Sequence, residues 1–104
     1  MIIPPSLSRS LLDAATRGGA RSLGLATGEL APGRPADLCA VDLTHPALLG
    51  APADGLLAAV IFSAPVSAVS DTWVQGERVV KDGHHPLEES AGRDFSALCR
   101  RMFP

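Results

Sequence analysis

The spacing of apolar positions changes along the chain, and each change predicts an element. Leu12, Ala15, Gly19 and Leu23 recur at helical intervals, so a helix is expected to start near Ser8 or Ser10 and to stop at Gly24. Either serine can accept from the orphan amides of a first turn, and Ser10 with Asp13 makes a short-acid version of a capping box. Residues 1–7, which contain Pro4-Pro5, read as an extended lead-in. The helical face is narrow and built of small residues. Gly18 and Gly19 each cost about 1 kcal/mol relative to alanine inside a helix, which points to close approach by another element.

Residues 26–35 carry two turn signals, at Gly28 and at Pro32-Gly33. Residues 38–43 then read as a strand that is apolar on both faces, Leu38 and Ala40 on one, Cys39 and Val41 on the other. A strand of that kind needs a covering layer on each side. Thr44-His45-Pro46 and Gly50-Ala51-Pro52 punctuate a loop. Residues 56–62 form an apolar run too short for periodicity to choose between helix and strand.

The clearest local pattern lies within residues 68–83. Two β-rich runs, 69–74 and 77–81, flank Gln75-Gly76, which predicts a tight hairpin with Val74 facing Glu77 and Thr72 facing Val79. Asp82-Gly83 is expected to end the second strand. From Pro86 the spacing is helical again: Leu87, Ala91, Phe95, Leu98 and Met102 form one stripe. Glu88 and Glu89 suit the positive end of that helix, and Arg100 and Arg101 the negative end.

Length and composition narrow the picture. The chain of 104 residues is one domain at most. Its hydrophobic content of 46% allows a core, but only Trp73, Phe62, Phe95 and Phe103 are aromatic and much of the rest is alanine. Marginal stability, or dependence on a neighbouring part, is the expectation. Net charge is −2, and the eight arginines and one lysine are interleaved with acids. No basic stripe follows a phosphate backbone, so nucleic-acid binding is not expected. Cys39 and Cys99 have no metal-binding spacing and are expected as buried, reduced thiols. The N-terminus has no charged leader pattern, and no run approaches the ~20 apolar residues of a membrane span. A soluble, reducing, cytoplasmic setting is expected.

Each candidate for chemistry has a plainer explanation. His84 and His85 are adjacent, so on a strand end they point to opposite sides and do not share a metal. His45 before Pro46 reads as a turn residue rather than a base. Asp37 and Asp42 bracket a strand and lie about 16 Å apart when extended, too far for paired acid–base work. Asp37 reads instead as a stabiliser of the preceding turn. Ser63 and Ser67 lack the context of a nucleophile elbow, and Gly18-Gly19 lacks the Lys-Ser/Thr of a phosphate loop. No catalytic, cofactor-binding or metal-binding residue is expected in this chain.

Three blocks together carry a resemblance. They are Ala14-Ala15-Thr16-Arg17-Gly18-Gly19-Ala20 with Leu23-Gly24-Leu25, Gly28-x-Leu30-x-x-Gly33-Arg34-x-Ala36-Asp37-Leu38 with Val41-x-Leu43, and Val69-x-x-x-Trp73-Val74-x-Gly76-x-x-Val79-Val80-x-Asp82-Gly83. In this order they resemble the C-terminal end of the amidohydrolase superfamily, from about residue 8 onward. Asp42-Leu43-Thr44-His45-Pro46-Ala47-Leu48-x-Gly50 and Asp82-Gly83-His84-His85-x-x-Glu88-Glu89 resemble, within it, the formimidoylglutamate deiminases of histidine degradation.

The resemblance implies an α+β segment. Residues 1–25 would be a lead-in and a late barrel-edge helix, residues 26–84 part of a composite β-sandwich with the hairpin near 69–81, and residues 85–104 a C-terminal helix. The (β/α)₈ barrel and its zinc ligands would lie outside this chain, as would the N-terminal strands that complete the sandwich. Those missing strands and the barrel are the implied partners, and family members are often homodimers. The resemblance implies that the parent uses zinc to activate water against an amidine carbon and releases ammonia, while this segment is inactive alone. The alternative is a stand-alone β-rich packing or association module, which cooperative unfolding of a soluble monomer would favour. A reading frame upstream of Met1 that encodes a His-x-His and a barrel would favour the segment.

Overall fold

The computed structural model describes residues 5–104. Helix α1 (Pro5–Asp13) is already helical at Pro5. Proline has a fixed φ and no N–H, both suited to a first helical turn. Ser8 and Ser10 therefore lie inside the helix instead of capping it. Residues 5–7 are helical, not extended; the rest of the expected lead-in, residues 1–4, lies outside the described residues.

α1 continues through a π-helical turn (Ala14–Gly18) into a short α2 (Gly19–Ser22). In the π turn the Thr16 hydroxyl donates to the Leu12 carbonyl at 2.7 Å, competing with the backbone ladder. α2 stops as the sequence indicates. Gly24 has φ +69, Leu25 N–H donates to the Ala20 carbonyl at 2.9 Å and Gly24 N–H to the Arg21 carbonyl at 3.1 Å. These are the paired bonds of a Schellman motif.

Close packing occurs at Gly28, not at Gly18-Gly19. Gly28 has φ +98, and a Cβ there would lie 2.7 Å from the Thr16 carbonyl oxygen. The loop after α2 thus presses directly on the backbone of the π turn. A Cβ at Gly19 would meet nothing within 4 Å, so the small-residue face is left uncovered by the described residues.

The sheet is three-stranded and antiparallel in the order β1 (Leu38–Val41), β2 (Val69–Val74), β3 (Glu77–Val80). β1 is shorter than expected because Asp42 turns the chain: its Oδ1 accepts from the Thr44 amide at 2.9 Å and the Thr44 hydroxyl at 2.6 Å. At the hairpin tip Gln75 and Gly76 both have positive φ, the signature of a type I′ turn. Val74 faces Glu77 as expected, but a bulge intervenes and Thr72 faces Val80 rather than Val79. Asp82-Gly83 does more than end β3. Both residues have positive φ, and Lys81 and His84 exchange backbone bonds of 3.0 and 2.9 Å, making a second tight turn. Gly83 N–H then donates to the Ser70 carbonyl at 2.7 Å, tying this turn to β2.

The ambiguous apolar run is a helix, α3 (Leu56–Ser63), which packs against α1. Half of its residues are leucine or alanine, which favour helix. Helix α4 (Glu88–Met102) follows the Lys81–His84 turn. Helices lie before, between and after the strands, but every strand pairing is antiparallel, so the class is α+β.

Burial is sparse. Ala20, Leu48 and Ala68 are the buried apolar residues among those described. Cys39 is exposed and Cys99 only half-buried, contrary to the expected buried thiols, because the described residues pack only partly over β1 and α4. The radius of gyration is 17.2 Å, whereas a folded domain of this length has about 13 Å. The accessible surface is 7893 Å², against roughly 5,500 Å² for a monomer of this mass.

Candidate functional site

The three histidines are the natural place to look for chemistry. His45 sits just after the Asp42–Thr44 turn. Its Nδ1 accepts the Ala47 amide at 3.1 Å, and its Nε2 lies 3.1 Å from Ser67 Oγ. Because Nδ1 is an acceptor, the neutral ring carries its proton on Nε2. Nε2–H therefore donates to Ser67 and cannot take that hydroxyl's proton, so the pair is no nucleophile–base couple. The contact instead fastens the 42–50 loop to the turn preceding β2, which agrees with the turn role expected for His45.

His84 and His85 organise the start of α4. His84 Nδ1 lies 3.3 Å from Glu88 Oε2. His85 Nδ1 accepts the Leu87 amide at 3.0 Å, and the His85 amide donates back to Glu88 Oε2 at 3.4 Å. Together these bonds close a turn, through Pro86 and Leu87, that leads into α4 at Glu88. Among the described residues no group of three or more His, Cys, Asp or Glu side chains converges to hold a metal ion.

Asp37 and Asp42 are structural acceptors. Asp37 Oδ1 accepts the Gln75 amide at 2.7 Å, at the tip of the hairpin. Beside it, Gly76 N–H donates to the Ala36 carbonyl at 3.0 Å. The Gln75 amide first, and the Thr27 hydroxyl second, hold the Asp37 carboxyl below its ordinary range. Asp37 does touch the preceding loop through Thr27, but its main partner lies across the sheet. The Thr44 hydroxyl and amide lower Asp42 in the same way.

One cluster was missed in the sequence. Arg78 faces Trp73 across the hairpin, with its guanidinium 5.7 Å from the ring centroid. It also donates from Nε to Asp71 Oδ1 at 2.9 Å and from Nη2 to the same oxygen. Arg78 is the leading cause that lowers Asp71, followed by Ser70. The signal was present, since Val74 opposite Glu77 already puts Trp73 opposite Arg78 and Asp71 one diagonal away. A second contact was not legible. Glu29 lies 3.3 Å from Arg17 Nη2 and 3.6 Å from Arg34 Nε, joining the loop to the π turn.

A recess of about 710 Å³ forms an open groove between α1 with its π turn and the 27–39 segment. Leu12, Leu30 and Leu38 line it beside Asp37. No nucleophile–base pair faces it.

Comparison with known proteins gives the chain's family. The chain is 44% identical over 91 residues to a formimidoylglutamate deiminase of Pseudomonas aeruginosa, covering 88% of this chain and 20% of that protein. It is 33% identical over 82 residues to 5-methylthioadenosine/S-adenosylhomocysteine deaminase 1 of Archaeoglobus fulgidus, covering 79% of this chain and 19% of that one. The fold superposes on an adenosine deaminase from Xanthomonas campestris with bound zinc, with a TM-score of 0.79 and 28% identity, over 91% of this chain and 22% of the other. The chain thus spans about a fifth of the length of the relatives it matches. With the amidohydrolase family model matching residues 6–79, across the helix, the Gly28 crossing and the Asp37-anchored hairpin alike, the chain belongs to the amidohydrolase family.

Proposed function

We propose that this chain is the C-terminal segment of a deiminase acting on an amidine carbon–nitrogen bond, specifically a formimidoylglutamate deiminase of histidine degradation. The 44% identity over 88% of the chain carries this reading. In it the segment is a structural part. Residues 26–84 supply strands to a composite sandwich, residues 1–25 the edge helix of a barrel, and residues 85–104 the terminal helix. The open groove and the partly covered faces of β1 are the surfaces that the barrel and the N-terminal strands would cover.

Zinc belongs to this reading only through the rest of the enzyme. The histidines of this chain do not fit a zinc site: His45 uses both ring nitrogens on Ser67 and Ala47, and His84 and His85 are committed to the start of α4. The parent's metal and its reacting groups would come from residues outside this segment. The excess surface and extended shape favour this reading over a self-sufficient module.

A chimera tests it. The matching segment of the P. aeruginosa enzyme is replaced by this chain, and ammonia release from formimidoylglutamate is measured beside the isolated chain. The expected result is an active chimera and an inactive isolated chain with or without zinc. Ammonia release by the isolated chain, or a folded chimera without activity, sinks the proposal.

A further inference from the structure

We propose that the recess between the π turn, α2 and the loop after them is an oxyanion-binding site, whose three arginines take a phosphate or carboxylate group. The recess has a volume of about 300 Å³, and Arg17, Arg21 and Arg34 line it together with Leu25, Thr27 and Glu29. It thus gathers three of the eight arginines of a chain whose net charge is −2. Three guanidiniums face the single carboxylate of Glu29, which leaves the lining strongly positive. A cleft lined by one sign of charge focuses its field on small ions of the other sign.

The fold holds this cluster in place. Glu29 Oε2 lies 3.3 Å from Arg17 Nη2 and its Oε1 3.6 Å from Arg34 Nε, so one carboxylate positions two guanidiniums, one from the π turn and one from the far end of the loop. Each guanidinium carries five N–H donors, and Glu29 faces one nitrogen of each. Arg21 follows Arg17 by four positions, the spacing of side chains on one helix face. It takes part in no ion pair among the described residues. The loop wall is fixed at Gly28, where a Cβ would lie 2.7 Å from the Thr16 carbonyl oxygen. Arg17 itself stands in the π turn, a distortion found frequently at functional sites.

Plainer roles account for part of the set only. Arginines near the C-terminal end of a helix complement its dipole, which covers Arg17 and Arg21 but not Arg34, brought in by the loop. Ion pairing covers Arg17 and Arg34 through Glu29 but not Arg21. An oxyanion accounts for all three together, because the fork of a guanidinium matches two oxygens of a carboxylate or phosphate. The volume is at the small end of ligand sites and suits one such group. That group has two sources: a free anion, or a carboxylate side chain of a longer parent chain.

Titration of the 104-residue chain with inorganic phosphate at constant ionic strength tests this, followed by NMR through the arginine Nε–H signals. Saturable shifts are expected at Arg17, Arg21 and Arg34, with a dissociation constant on the order of 1 mM. Arg21→Gln should weaken binding about tenfold without disturbing the Glu29 contacts. Arg100→Gln removes the same charge from α4 and should leave phosphate affinity within about twofold. Both side chains are exposed, so circular dichroism should be the same in every variant. Absence of a saturable shift, or an equal effect of the two substitutions, overturns the proposal. This titration stands whether or not the deiminase chimera is active. The chimera separates the two sources. Phosphate binding retained there assigns the recess to a free anion. Binding lost, with a thermal midpoint that Arg21→Gln lowers, assigns it to a carboxylate of the longer chain. Binding lost and a midpoint that Arg21→Gln leaves unchanged overturns the proposal.

Discussion

Around β2 the polar contacts reach far along the chain. Asp37 meets Gln75 across 38 positions, and His45 meets Ser67 across 22. Around α4 they are local: His84, His85 and Glu88 bond one another or their immediate neighbours, none more than four positions apart. Both regions are well formed, and both leave apolar side chains in solvent. The difference is in what holds them. The sheet region is fastened by directional bonds to loops distant in sequence, so its parts should loosen together. α4 satisfies its own ends and owes little to the sheet. Polar fastening can shape a segment with so small a core, but with so little burial the segment is only marginally stable alone.

The sharpest way to break the sheet region is Gly28→Ala. Its φ of +98 disfavours any Cβ, and the new carbon would lie 2.7 Å from the Thr16 carbonyl. Backbone cannot yield as a flexible side chain can, so the loop must lift from the π turn. The expected loss is about 3 kcal/mol, read as a lower urea midpoint. Amide exchange should accelerate in residues 26–41 while α4 amides stay unchanged. Acceleration across the whole chain, α4 included, would erase the distinction between the two regions.

The legibility of these parts differed for a physical reason. The Gln75-Gly76 turn, the Gly24 stop and the α4 stripe are set by neighbouring residues, and sequence spacing predicted each of them. The start of α1 was misread because the serines looked like caps while Pro5 already suited a first helical turn. The bulge at Val79 shifted the expected register by one residue. Gly28 was visible as a turn signal, but its contact with Thr16 depends on how a loop folds back, which no local pattern encodes. The absence of a catalytic set was an expectation from residue types alone. The structure adds what the candidate residues do instead: His45 fastens a loop, Asp37 the hairpin tip, and His85 a helix start.

Acid should dissect the sheet region next. Asp37, Asp42 and Asp71 all have carboxyls lowered from the ordinary value of 3.8 by hydrogen bonds that exist only in the folded chain. The unfolded chain then binds protons more readily than the folded one, so these groups favour folding above the unfolded value. Their contribution is lost as pH falls below about 4 and through the lowered folded values. Between pH 5 and 7 they should produce no slope. Unfolding monitored by Trp73 fluorescence should show this profile, and Asp37→Asn with Asp71→Asn should flatten its acid limb. An acid limb unchanged in that double variant would mean that other carboxylates govern it.

Glu88→Ala is the smallest of these changes and the most diagnostic of α4's independence. It removes the acceptor of the His85 amide and the partner of His84, while His85 Nδ1 can still receive the Leu87 amide. One bond of the turn leading into α4 remains, so the expected loss is about 0.5–1 kcal/mol of helix stability. It should appear as faster exchange in the first turn of α4 and a small fall in helical circular dichroism. Trp73 fluorescence and the protection of β2 should not move, since neither side-chain bond of Glu88 reaches the sheet. Combined with Gly28→Ala, the two losses should add, as expected for sites without shared partners. Coupling between them beyond about 0.5 kcal/mol would show that the turn at Asp82-Gly83, bonded to Ser70 at 2.7 Å, carries strain from the sheet into α4 and that the two regions are one.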